Sequence, residues 1–222
     1  AALLGVAGLT LLSVGAAFLL MRRLPPAPSR RAGFSVRPLW DIVRNPRSLP
    51  LLVCGVIHFP VYFAVQNIVG KKFLEDFAGL RWKLAASFRV ALMVTAAMST
   101  FAGGFLPRLL GHRRKPILIG AATLVLAGSL VLLSGVRLQA PRWVLLAGYL
   151  LLAAATGSGP ASLSTMKELN RADAVAQSIA VVNCVTYVGV ACMAWAGGAV
   201  LDQFAAVAVR TAGGVVYPAA AY

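Results

Sequence analysis

The side chains best suited to chemistry are few and lie within apolar surroundings. His58, Tyr62 and Gln66 fall at i, i+4 and i+8, a spacing that places them on one face of a helix, with Asn67 beside them. Asn183, Thr186 and Tyr187 repeat the pattern at i, i+3 and i+4. Arg89 is the one cation inside an apolar stretch, and Thr156-Gly157-Ser158-Gly159-Pro160 sets a hydroxyl-bearing Ser158 in a helix-loosening run. Such groups suit reversible contact with a polar solute, or hydrogen bonding that holds helices together; the residues alone leave both readings open. For Arg89 the readings are an anion contact and a side chain reaching to the membrane surface.

Other chemistries lack their parts. All six carboxylates (Asp41, Glu75, Asp76, Glu168, Asp173 and Asp202) fall in loops or at the ends of apolar runs. A proton relay would have only His58 to use within the membrane. Two histidines and three scattered cysteines give no metal-ligand spacing, so no metal and no cofactor is expected. An intramembrane serine protease needs a Gly-x-Ser-Gly turn and a later histidine; here the serine is displaced by one position and no histidine follows His112. The expectation is that the chain is not an enzyme.

The elements holding these residues follow from composition. Of 222 residues 59% are hydrophobic and 12% charged, with a net charge of +15. So much apolar sequence excludes disorder, and its arrangement in long blocks excludes a soluble domain with one apolar face per element. The reading is all-α: a polytopic membrane helical bundle whose main partner is the lipid bilayer. Six spans are expected, over about 1–21, 49–69, 84–106, 117–136, 143–163 and 174–201. The first run has neither a basic start nor an initiating Met, so it does not read as a signal peptide, and the chain reads as cut from a longer one.

Residues 22–48 combine a stiff Leu24-Pro-Pro-Ala-Pro-Ser29 linker with Ser35–Arg44, where Leu39, Trp40, Ile42 and Val43 alternate with Arg37 and Arg44. That mixture predicts either a short helix lying in the membrane interface or an ordered surface loop. Loops 22–48, 107–116 and 165–173 carry thirteen Lys and Arg, against seven in 70–83, 137–142 and 202–222. The bias places the first set in the cytoplasm and both chain ends outside. Cations gathered at span ends serve topology and anionic lipid, so no nucleic-acid partner is expected.

Between the third and fourth spans runs Gly104-Phe-Leu106-Pro-Arg108-Leu-Leu-Gly111-His-Arg113-Arg114-Lys115. It resembles the Gly-x-Leu-x-Asp-x-x-Gly-Arg-Arg-like cytoplasmic loop of major facilitator superfamily transporters, with Arg108 or a neighbour where the family usually has Asp. Tyr62-Phe63-Ala-Val-Gln66-Asn67-Ile-Val-Gly70-Lys-Lys-Phe73-Leu74 is similar to the end of helix seven in bacterial members. Lys167-Glu168-Leu-Asn170, and Gly197-Gly198 to Asp202, fit the same order.

The resemblance implies helices six to eleven of that fold. Residues 1–21 would end the N-terminal half, 22–48 would link the halves in the cytoplasm, and 49–201 would form five spans of the C-terminal bundle. Residues 202–222 would be an outer loop leading to a last helix. It further implies a carrier of a small-molecule substrate in the bacterial inner membrane, working by alternating access with an N-terminal half as partner, and coupling to protons is open to it. Under it, His58, Tyr62, Gln66, Asn67, Arg89, Ser158, Asn183 and Tyr187 would face the solute. The rival readings are a non-transporting scaffold or sensor and, behind it, the intramembrane protease.

Overall fold

The computed structural model describes residues 37–68, 70–211 and 214–218, together with 13–15 and 19. The last four are helical and belong to a separate unit, residues 1–35. The rest of the expected first span and of the Pro-rich linker lies outside the described residues.

Helix α1 spans Arg37–Arg44, within the segment for which a short interfacial helix and an ordered surface loop are both open readings. Its Ile42 is buried against Leu51, Leu52 and Met166, while Trp40 and Val43 face outward and the Arg44 guanidinium lies 4.6 Å from the Trp40 ring centroid. Helix α2, Leu49–Phe63, starts with Pro50 in its first turn, where a missing N–H costs nothing. Pro60 interrupts its ladder, and the chain continues as a π-helical turn over Ala64–Ile68 before α3, Gly70–Asp76. A Cβ on Gly70 would collide with the Val65 carbonyl, so this junction requires glycine.

Helix α4 spans Trp82–Leu109 and α5 spans Lys115–Arg137. The turn between them uses left-handed backbone at Gly111 and His112. Helix α6, Arg142–Ala155, passes through a 3₁₀ turn at Thr156–Ser158 into α7, Gly159–Leu169. The glycines and Pro160 thus alter the helix where the sequence loosens it. A second 3₁₀ turn, Ala172–Ala174, leads into α8, Val175–Gln203. Beyond it, where a plain outer loop is expected, β1 (Val209–Thr211) and β2 (Gly214–Val216) pair antiparallel, Val209 opposite Val216. Valines flanking Gly213-Gly214 are the local reason.

Five of these helical segments are long and apolar enough to cross a membrane: Leu49–Ile68, Trp82–Leu109, Lys115–Arg137, Arg142–Leu169 and Ala172–Gln203. The fourth runs about six residues beyond the expected end. Apolar side chains cover their outward surface; on α5, Ile119, Leu126, Leu130 and Leu133 are all exposed. Water would not tolerate that surface and hydrocarbon would. Five such helices mark the chain as a helical-bundle membrane protein.

Lipid tails are as apolar as leucine, so close packing rather than the hydrophobic effect must join the helices. Helices α5 and α6 meet at Gly128 and Gly148, where a Cβ on Gly128 would stand 3.0 Å from the Gly148 carbonyl oxygen. Helices α2 and α8 meet at Gly189, whose added Cβ would lie 2.7 Å from the Val56 carbonyl oxygen. The tightest crossing joins α4 to the 3₁₀ turn: a Cβ on Gly103 would overlap the Gly157 carbonyl, and one on Gly157 would lie 2.6 Å from the Ser99 carbonyl oxygen.

One end of the bundle is filled by α3. Phe73 and Leu74 pack with Tyr62, Phe88, Leu92 and Leu145, and the Tyr149 hydroxyl donates to the Gly70 carbonyl at 3.0 Å. The buried Asp76 carboxylate accepts from Lys72 Nζ at 2.8 Å and from the Tyr217 amide at 3.0 Å, tying the ribbon back to α3. Polar contacts close the opposite end. Asn170 Nδ2 donates to the Met166 carbonyl at 2.9 Å and lies 3.2 Å from the fully buried Ser48 hydroxyl, while Asn45 Nδ2 donates to the Leu169 carbonyl at 3.2 Å. Arg114 and Glu168 form an ion pair across the same end. The C-terminus of α7 is thereby fastened to the start of α2 and to the α4–α5 turn.

Candidate functional site

Helices α2, α8 and the broken α6–α7 segment enclose a cavity of about 170 Å³. His58, Ser158 and Asn183 line it, joined by Thr156, Ser162 and Thr186. Cys54 and Phe59 complete the α2 side. Each polar group is set there by local geometry. Packing at Gly55 and Gly189 brings α8 close enough for Thr186 Oγ1 to sit 3.2 Å from where a Gly55 Cβ would be. The 3₁₀ turn places Thr156 and Ser158 at the cavity edge, with the Thr156 hydroxyl turned to α4, 3.4 Å from the Thr100 hydroxyl, while Gly157 presses on α4.

The hydroxyls are partly committed to backbone. Ser158 Oγ donates to the Ala155 carbonyl at 3.0 Å, and Thr156 Oγ1 to the Ala153 carbonyl at 2.7 Å, also lying 3.3 Å from the Ala96 carbonyl of α4. The Ser158 oxygen keeps lone pairs free to accept, whereas the Thr156 oxygen already lies 3.4 Å from the Thr100 hydroxyl. Asn183 offers both a donor and an acceptor, and His58 one of each when neutral. The lining contains no carboxylate, lysine or arginine. The polar groups this lining offers are therefore hydrogen-bonding and uncharged while His58 is neutral. A pocket that encloses a small molecule usually measures about 300–1,000 Å³, so this cavity is smaller than a complete ligand pocket.

The other expected solute contacts lie elsewhere. Tyr62 is buried in the aromatic cluster with Phe73 and Tyr149. Gln66 is buried in the π turn, away from this cavity. Asn67 is exposed and accepts from Arg89 Nη2 at 3.4 Å, so those two residues form a pair of their own near the α3 end. Tyr187 is 61% exposed, one turn past Asn183, with its ring centroid 6.5 Å from that of Phe59.

In the loop stretch, Gly104, Leu106, Arg108, Gly111 and Arg113 are exposed, and a Cβ on Gly104 would meet nothing within 4 Å. The close approach falls to Gly103. Arg114 alone of that group reaches across, to Glu168.

Sequence reasoning did not single out the Asn45–Ser48–Asn170 cluster or Gly103. A serine at 48 between two apolar segments was a weak signal for the former; nothing local distinguishes Gly103 from Gly104.

No protein-family model matches the chain, and it has no significant match among curated proteins or solved structures. No group of three or more His, Cys, Asp or Glu side chains suited to a metal ion occurs among the described residues.

Proposed function

We propose that the protein is part of a secondary transporter that moves a small solute by alternating access, the bundle described here forming much of the C-terminal six-helix half of a major facilitator-type carrier. The observation that carries the reading is convergence. Hydrogen-bonding groups from three separate segments, α2, the 3₁₀ break and α8, meet in one cavity inside helices that are otherwise apolar. A broken helix beside a polar cavity is the arrangement in which carriers expose a site in turn to either side. The cavity supplies one wall, and an N-terminal half in the same membrane, the bacterial inner membrane under this reading, supplies the other. Charged recognition and any proton-coupling carboxylate then belong to that other wall, and the protein performs no covalent chemistry.

The full-length protein in proteoliposomes, given a panel of labelled sugars, amino acids and organic ions under imposed proton or solute gradients, is expected to show gradient-driven flux of at least one of them. Flux of none under any gradient would return the chain to the scaffold or sensor reading.

A further inference from the structure

At the end of the bundle that carries α3, a second cavity of about 340 Å³ is lined by Gly79, Leu80, Arg81, Lys83, Leu84 and Arg142. Three of its six lining residues are cations and none is a carboxylate. The ion pairs that geometry gives among the described residues are Lys72–Asp76, Arg114–Glu168 and Arg171–Asp173, so none of the three cations pairs with a described carboxylate. Helices α4 and α6 both begin here, at Trp82 and Arg142, and no side chain caps either N-terminus. Their dipoles add positive potential to the cations.

The depth of the site is marked by tryptophan. Trp82 and Trp143 are 66% and 68% exposed at the starts of these two helices, and Lys83 Nζ lies 5.6 Å from the Trp82 ring centroid. Exposed indoles at span ends sit at the level of lipid headgroups. The anion present there at high local concentration is the phosphate of a phospholipid. We propose that this cavity is a binding site for the phosphate of an anionic phospholipid headgroup. Arg81 and Arg142 clasp its oxygens through their guanidinium forks, and Lys83 adds a point charge. The proposal gives a role to Arg81, Lys83 and Arg142, three of the six cations in segments 70–83 and 137–142, which topology alone does not require. It is independent of the transport reading.

The test is native mass spectrometry of the full-length protein with bound lipid, comparing phosphatidylglycerol with phosphatidylcholine. A triple variant, Arg81→Gln, Lys83→Gln and Arg142→Gln, is set beside a control that removes as many charges at the opposite end, Arg108→Gln, Arg113→Gln and Lys115→Gln. Each cation near a membrane surface is worth about fivefold in affinity for anionic lipid. The three cations of the cavity act on one headgroup, so their losses multiply and the preference for phosphatidylglycerol should fall at least about tenfold in the first triple; the control cations line no shared cavity, so each lipid there loses one cation and the fall should not exceed about fivefold. Equal losses in both, or no loss in the first, would overturn the proposal. If the triple variant fails to fold, the single Arg142→Gln should lower the preference by about fivefold, and no change in it would count against the site equally. A second arm offers inorganic phosphate to delipidated protein. Phosphate retention that depends on the same three cations, with no preference between the two lipids, would assign the group to a soluble ion and overturn the lipid source.

Discussion

Gly103→Val will cost the protein about 3 kcal/mol or more of stability, whereas Gly104→Ala beside it will be neutral or slightly stabilising. A Cβ at 103 overlaps the Gly157 carbonyl, which belongs to backbone and cannot swing aside. Helix α4 and the 3₁₀ turn must move apart, and the contacts between Ser99 and Gly157 and between Thr156 and Ala96 go with them. Overpacking in a close-packed interior typically costs about 1–3 kcal/mol, and here the steric partner is main chain with little room to relax. At 104 a Cβ meets open space, and alanine favours helix over glycine by about 1 kcal/mol. Thermal unfolding in detergent, read together with the monodisperse fraction, checks both. A Gly103→Val protein as stable as wild type would mean that α4 and the 3₁₀ turn do not cross as described.

The second large effect falls on the cavity. If the protein is the carrier proposed above, Asn183→Leu and His58→Leu should each lower solute flux by about tenfold or more, because each would remove a hydrogen bond to bound solute and leave the solute's polar group facing an apolar side chain. That penalty is about 1–3 kcal/mol, or roughly five- to more than a hundredfold. Tyr62→Phe should change flux little, because its ring fills the aromatic cluster and phenylalanine fills it as well. Tyr187→Phe should likewise leave flux within about twofold, since Tyr187 lies outside the cavity lining. Initial rates in proteoliposomes at matched protein density decide this. Large losses in the two tyrosine variants with none in the Asn183 and His58 variants would move the solute site out of this cavity.

That contrast shows how far the sequence could be read. Span positions were legible because unbroken apolar length is a local property; Lys115–Arg137 falls within two residues of its expected ends. The α1 helix and the break at Gly157 were legible for the same reason, since amphipathic spacing and Gly-Ser-Gly-Pro chemistry act within a turn or two. The shared face of His58, Tyr62 and Gln66 was only partly so. Its spacing gives direction around the helix but not how far along the axis a cavity reaches, and Gln66 stands eight residues, about 12 Å, beyond His58 in the π turn at Ala64–Ile68. Gln66 and Asn67 therefore lie past the end of the cavity that His58 lines. Tyr62 illustrates a different gap: which side of a helix its neighbours occupy depends on α3 folding back, a tertiary fact with no local signature. Gly103 and Gly104 are chemically identical and differ only in helical rotation toward Gly157. The Asn45–Ser48–Asn170 cluster joins residues more than 120 positions apart, beyond any periodicity.

Cys54 offers the most direct test that polar groups of these membrane helices share a wet cavity. It lines the cavity natively, and Cys184→Ser with Cys192→Ser, together with serine at any cysteine outside these 222 residues, would leave it the sole thiol. Labelling of the full-length protein in membranes with a charged, water-borne maleimide is the measurement. Cys54, and separately Asn183→Cys with Cys54 replaced by serine, should react, whereas Leu126→Cys on the apolar face of α5 should not. Leu126→Cys reacting while both cavity positions stay silent would contradict the account.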